Sequence, residues 1–335
     1  MKKTKKLLAC LIAAATMFTM GSMAFAAEAD ETPVDQETVT IHKQYKLIGK
    51  GTSPEETFTL KQVGSRVTDG DAESAPNLVK ITGAHFAKGA ATDSGAIGDI
   101  EVTLPKYTQV GVYEYTLHEV DGNNAGVAYY GNNIKLVVTV IQGDNAKLRI
   151  AAVHTEAENG TKSDIFENTY SANSLPVKKV VTGNLGDKDK LFDVTVTLTN
   201  NTGKTMASDI SYTAGDVENT IKASDWNGNT VTRTIQLKHD QTITFTNLPF
   251  GVEYVVTEAD YTGDNGGYDA PKYDYKNSDK KISVADQSVT ITNNKNSDNI
   301  DMGVNLTTLP YILVFAGVIV IAGAAFIIRR RRYED

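Results

Sequence analysis

Val194-Thr195-Val196-Thr197-Leu198 alternates apolar and hydroxyl side chains with a period of two, and Thr242-Ile243-Thr244-Phe245 repeats the pattern. On an extended strand successive side chains point to opposite faces, so each stretch reads as a strand with one face buried. Between Ala27 and about Asp298 such runs, rich in Thr, Val and Tyr, follow one another without sustained helical periodicity. They are separated by Asp121-Gly122, Asn159-Gly160, Asn227-Gly228 and Asn265-Gly266, pairs that favour the positive φ of tight turns. The pattern predicts an all-β protein built of β-sandwiches.

About 270 residues lie between the two ends of the chain, more than one ordinary sandwich needs. The segment also repeats itself in outline. Its first half opens with Val39-Thr40-Ile41-His42-Lys43 and closes with Asp164-Ile165-Phe166-Glu167-Asn168. Its second opens with Leu175-Pro176-Val177-Lys178-Lys179 and closes with Val289-Thr290-Ile291-Thr292-Asn293. Two tandem domains are predicted, 27–172 and 173–297, with the boundary near Ser171 to Asn173.

Strand parity turns six polar residues inward. Lys43 shares a face with Val39 and Ile41, and Lys179 with Leu175, Val177 and Val181. Asn168 follows Phe166 on one face, as Asn293 follows Val289 and Ile291. Glu119 ends the row Tyr113, Tyr115, Leu117, and Glu258 ends the row Val252, Tyr254, Val256. The order Lys, Glu, Asn is kept twice, with separations of 76 and 49 residues in the first half and 79 and 35 in the second.

Burial of an ammonium or a carboxylate costs several kcal/mol or more, so both groups should neutralise, the lysine's pKa falling and the glutamate's rising. A neutral lysine is a nucleophile. A protonated glutamic acid beside it could donate to the asparagine side-chain carbonyl and relay protons as the amine attacks and ammonia leaves. The product would be an amide cross-link formed once per site, with packing supplying effective molarities of about 10⁵ to 10⁸ M. The bland reading of either set is three exposed polar residues, or a plain buried salt bridge beside a hydrogen-bonded amide. The duplication with inward parity at all six positions favours the bond.

The ends predict export. Lys2, Lys3, Lys5 and Lys6, an apolar run from Leu7 to Phe18 and the terminal Ala24-Phe25-Ala26 form a signal peptide over 1–26. Leu309 to Ile328 is an uncharged run long enough to cross a bilayer as a helix, and Arg329 to Arg332 follow it, which places everything upstream outside the cell. Removing the four signal lysines and four tail arginines from 33 basic residues leaves 25, and removing Glu334 and Asp335 from 41 acidic residues leaves 39, so the exported part carries about 14 net negative charges. That balance argues against a nucleic-acid partner. The one cysteine, Cys10, falls in the signal, so the mature protein would have no disulfide.

At the six polar positions and around them the sequence resembles the streptococcal pilin isopeptide-linkage domains, in their two-domain major (backbone) pilin form. Gly251-Val252-Glu253-Tyr254-Val255-Val256-Thr257-Glu258-Ala259-Asp260-Tyr261, the opening Val177-Lys178-Lys179 with Thr182-Gly183, and the closing Thr290-Ile291-Thr292-Asn293 carry the resemblance most sharply. It implies Ig-like, CnaB-type sandwiches, a bond from Lys43 to Asn168 with Glu119 as catalytic acid, and a second from Lys179 to Asn293 with Glu258. It further implies bonded first and last strands in each domain, each bond contributing about 4 to 5 kcal/mol by analogy with a disulfide closing a loop of over 100 residues.

The same resemblance implies a Gram-positive surface pilus in which a sortase joins identical subunits head to tail, the assembly ending on cell-wall peptidoglycan. Lys162, after Asn159-Gly160-Thr161, is the candidate linking lysine; otherwise it is one solvated loop lysine among many. The family's Leu-Pro-x-Thr-Gly sorting signal has no intact copy. Asn299-Ile300-Asp301-Met302-Gly303 lies at about the right distance, with Met302 in the threonine position and Gly303 retained, while Leu309-Pro310 runs straight into the apolar span. A sortase of relaxed specificity, a subunit that stays in the membrane and a lapsed signal are the three readings, the first being favoured.

Other functions find less support. His42, His85, His118, His154 and His239 form no metal-ligand spacing, and no nucleophile elbow or phosphate loop is present. Asp69-Gly70-Asp71-Ala72-Glu73 lacks the full calcium-loop pattern and reads as a turn. No metal, cofactor or conventional enzyme activity is expected. The nearer rival is a wall- or membrane-anchored adhesin or minor pilin of the same fold, carrying a host surface ligand on its loops.

Overall fold

The structure, a computed structural model, describes residues 36–70, 72–143, 146–214 and 217–297. The signal segment, the span 309–328, Met302 and Gly303 lie outside the described residues, as does Asp71. Among the described residues no helix is long and apolar enough to cross a membrane.

The first half is built from β1 (Thr38–Gly49), β2 (Glu56–Gly70), β3 (Lys80–Ile81), β4 (Gly83–Phe86), β5 (Ala96–Thr103), β6 (Gly111–Glu119), β7 (Val127–Ala128), β8 (Ile134–Gln142) and β9 (Leu148–Ala157). A long strand, β10 (Ile165–Thr182), leads into the second half. There follow β11 (Phe192–Asn200), β12 (Ile210–Ala214), β13 (Val217–Ile221), β14 (Thr230–Leu237), β15 (Thr242–Pro249), β16 (Val252–Glu258), β17 (Lys272–Tyr275) and β18 (Val289–Asn294).

Two cores result. In the first, Ile41 and Tyr45 of β1, Ile100 of β5 and Phe166 of β10 face Phe58, Tyr115 and Leu136 from the five-stranded sheet β4-β2-β6-β8-β9. In the second, Val177 of β10, Phe245 of β15 and Ile291 of β18 face Val196, Val231 and Tyr254 from the three-stranded sheet β14-β11-β16. Each fully buried apolar side chain of this size contributes about 1.5–3 kcal/mol to folding. Strand burial alternates as the period of two predicts, most regularly in β6 and β8.

The passage between the halves is a strand. β10 runs unbroken for 18 residues, pairing in parallel with β1 over Ile165–Ala172, antiparallel with β15 from Ala172 to Lys178, and in parallel with β18 over Val177–Thr182. Ala172 and Asn173 are both buried, and the register on β15 shifts between Asn173 and Leu175. A bulge of this kind inverts the faces of a strand. Phe166, Asn168 and Tyr170 therefore serve the first core, and Leu175, Val177 and Lys179 the second. The turn pairs follow expectation at Gly160 and Gly228, both at positive φ. At Asp121-Gly122 and Asn265-Gly266 the left-handed residue is instead the next one along, Asn123 and Gly267.

Candidate functional site

Parallel pairing of the first and last strands of each half sets lysine beside asparagine. On β1 and β10, Lys43 opposes Phe166 and Tyr45 opposes Asn168. On β10 and β18, Lys179 opposes Ile291 and Val181 opposes Asn293. In each half the asparagine thus lies two residues past the lysine's partner, on the same inward face. β6 and β16, on the facing sheets, deliver Glu119 and Glu258 at their last residues. The sequence parity holds at all six positions: Lys43, Lys179 and Asn293 have no exposed surface, Asn168 and Glu119 have 1% and 3%, and the Glu258 side chain is wholly covered.

In the first site Lys43 Nζ donates to Glu119 Oε2 at 2.7 Å, Asn168 Nδ2 donates to Glu119 Oε1, and the Tyr130 backbone N–H donates to Oε2 at 3.3 Å. The Asn168 carbonyl oxygen is buried without a hydrogen bond. In the second, Lys179 Nζ donates to Asn293 Oδ1 at 2.6 Å and lies 3.3 Å from Glu258 Oε1, while Asn293 Nδ2 donates to Glu258 Oε2 at 2.6 Å. Aromatic walls close both: Tyr130 and Phe58 lie 5.4 and 5.9 Å from Lys43 Nζ, and Phe192 lies 4.3 Å from Lys179 Nζ. One detail departs from the sequence reading. Each glutamate faces the amide nitrogen of its asparagine rather than the carbonyl oxygen, which puts the acid beside the group that would leave as ammonia.

Electrostatics follow burial. Desolvation pushes the Lys43 and Lys179 ammonium groups below the ordinary lysine value, and the neighbouring glutamates offset this only in part. Desolvation likewise raises the Glu258 carboxyl, against the pull of Asn293 and Lys179. At the second site the two shifts together favour a neutral amine beside a neutral acid.

Lys162 is exposed in the connection between β9 and β10, its backbone bridged to Glu156, apart from both buried sites. Among the described residues no cluster of His, Cys, Asp or Glu is arranged to hold a metal ion. The contributions of Tyr130, Phe58 and Phe192 had no signature in the sequence, since each depends on which strands face one another. A third acid–amide contact was also missed: buried Glu56 Oε1 accepts from Asn124 Nδ2 at 2.5 Å and from the Tyr129 hydroxyl at 3.1 Å.

The fold and the duplicated Lys–Glu–Asn set define an all-β protein with two chemically equivalent buried sites. Residues 39–171 match the Spy0128-like isopeptide containing domain, and residues 173–295 match a domain of unknown function, DUF7601. The chain is 28% identical to a pilin of Streptococcus pyogenes serotype M1 over 328 residues, spanning 90% of this chain and 93% of the relative. The crystal structure of the major pilin from Streptococcus pyogenes shares the fold, with a TM-score of 0.52 at 23% identity over 79% of this chain and all of that one. A mutant of that pilin gives 0.50 at 23% identity over 78% and 99%. The first half thus matches an isopeptide-containing domain, and the chain as a whole resembles a streptococcal pilin in sequence and in fold.

Proposed function

We propose that this protein is a pilin, the shaft subunit of a covalently polymerised surface pilus, its two CnaB-type sandwich domains, 27–172 and 173–297, each closed by a self-made Lys–Asn isopeptide bond. The observation that carries the reading is the burial, twice, of a lysine and an asparagine on adjacent first and last strands with a glutamate from the facing sheet between them.

The reaction balances without a cofactor. The lone pair of Lys Nζ attacks Asn Cγ, the Nζ–Cγ bond forms, the Cγ–Nδ2 bond breaks and ammonia departs. The glutamic acid gives a proton to Nδ2 and takes one back from Nζ, so Glu119 and Glu258 end as they began. Lys43 becomes bonded to Asn168, and Lys179 to Asn293. Since β1 and β10, and β10 and β18, are then joined covalently, tension along the chain is carried by bonds rather than by the hydrogen-bonded ladder.

Polymerisation is assigned to a sortase that cleaves at the Met302-Gly303 region and joins the new carbonyl to Lys162 of the next subunit, the last subunit passing to peptidoglycan. Two measurements test the two parts. An intact ectodomain should weigh two ammonia molecules less than its sequence, and Glu119→Ala and Glu258→Ala should each restore one; a folded protein of unmodified mass sinks the isopeptide reading. Immunoblots of wall extracts should show a high-mass ladder that collapses in Lys162→Arg, and a single band in the unsubstituted strain sinks the shaft reading.

A further inference from the structure

Asn247, in the second half at the β15 end that meets β10, reaches back to the strands that carry the first site. Its side-chain oxygen accepts the backbone N–H of Thr52 at 2.9 Å and the hydroxyl of Tyr170 at 3.0 Å, while its nitrogen donates to the Asp209 carbonyl at 2.7 Å. Thr52 follows β1, the strand of Lys43. Tyr170 lies on β10 two residues beyond Asn168 and on the same buried face. One oxygen thus ties together the two strands whose side chains must react, and one nitrogen fastens that tie to the other half of the molecule.

The surroundings are shaped for this contact. Asn247 is 7% exposed and has φ 63°, a left-handed conformation that asparagine tolerates better than most residues. Gly51 leaves the oxygen room: a Cβ there would fall 2.5 Å from Asn247 Oδ1 and 2.8 Å from the Ala172 Cβ. Backbone bonds brace the junction, Lys50 N–H to the Ala172 carbonyl at 2.7 Å and Phe250 N–H to the Ser171 carbonyl at 3.0 Å.

We infer that Asn247 is a positioning residue for the first isopeptide bond, so that closure of Lys43 onto Asn168 depends on the docked second half. The inference rests on the isopeptide reading above. It follows from the geometry: β10 is shared, and its seating on β1 sets how far Asn168 lies from Lys43. A misplacement of about 1 Å can cost about 10²-fold in rate.

The test is a pulse–chase of the full chain in a secreting host, quenched in denaturant and digested, with the Lys43–Asn168 and Lys179–Asn293 cross-linked peptides followed separately. Asn247→Gly keeps the left-handed backbone and removes the tie; it should slow the first bond about 10- to 100-fold relative to the second in the same molecules. Tyr170→Phe, which deletes only the hydroxyl, should slow the first bond selectively and carries the test alone if Asn247→Gly is degraded. An unchanged ratio of the two bonds in either Asn247→Gly or Tyr170→Phe overturns the inference. Absence of both cross-links from the unsubstituted chain instead overturns the isopeptide reading itself.

Discussion

The two sites use the same three residues in different poses. At the first, the amine sits on the acid: Lys43 Nζ touches Glu119, and the Asn168 carbonyl waits unpaired. At the second, the amine sits on its target: Lys179 Nζ touches Asn293 Oδ1, and Glu258 Oε1 is the oxygen left without a hydrogen bond. The Tyr130 N–H marks part of the difference: it donates to the Glu119 carboxyl, and among the described residues no backbone N–H is seen donating to that of Glu258. Burial supplies the reactivity in both halves, and local donors decide how far each set has advanced toward attack.

Removing the acids should give the largest effect. Each bond closes a loop of over 100 residues, so Glu119→Ala or Glu258→Ala should cost about 5 kcal/mol in denaturant unfolding. Equal stability of bonded and unbonded protein would break the analogy between these links and a disulfide. The poses also predict an order. Lys43 must leave its hydrogen bond to Glu119, worth about 0.5–1.5 kcal/mol, before it can attack, which is about two- to tenfold in rate. In a pulse–chase the second bond should therefore precede the first, and the reverse order would show that the Glu119 contact assists rather than delays.

A pH dependence sharpens the contrast further. In bonded protein Lys43 is an amide and does not titrate. In Glu119→Ala it is a buried amine whose folded pKa lies below the unfolded value of 10.5, and the partner that raised it is gone. Between those two values the unfolded chain binds a proton that the folded chain does not, so stability rises with pH across the window, by at most about 1.4 kcal/mol per pH unit, and levels off above the unfolded value. Thermal melts from neutral to alkaline pH should show the variant closing part of its gap to the parent. A constant gap would mean that Lys43 has found another anion or water.

Much of this site was legible because strands impose a period of two. Once Val39-Thr40-Ile41-His42-Lys43 is a strand with Ile41 inward, Lys43 has nowhere else to point, and the same holds at the other five positions. Less could be read where the faces change over. The stretch Ser171 to Asn173 reads as a boundary, yet β10 crosses it, because a bulge between Asn173 and Leu175 lets one strand face two cores. Parity carries no warning of a bulge. Nor does it give the amide orientation, the Tyr130 N–H or the reach of Asn247, all of which depend on contacts between residues far apart in sequence.

Glu56 and Asn124 supply the internal control and the smallest expected change. Their contact resembles those at Glu119 and Glu258: a buried carboxyl, raised by desolvation, accepting from an asparagine nitrogen. The third member is what differs. Lys204 lies nearby, 4.9 Å from the Tyr129 ring, but its Nζ donates to the Val127 carbonyl at 2.9 Å, sits 3.7 Å from Asp121, and its side chain keeps 28% of its surface in water. The amine is partly hydrated and held by a backbone carbonyl and a carboxylate, so this set lacks the fully buried lysine of the other two. Peptide maps should therefore find Asn124 intact in every preparation, and Asn124→Ala should leave both cross-links and the ammonia count unchanged while costing about 1 kcal/mol from the lost hydrogen bond. Loss of a third ammonia at Asn124 would show that an acid beside an amide suffices, and would remove the burial of lysine from the list of requirements.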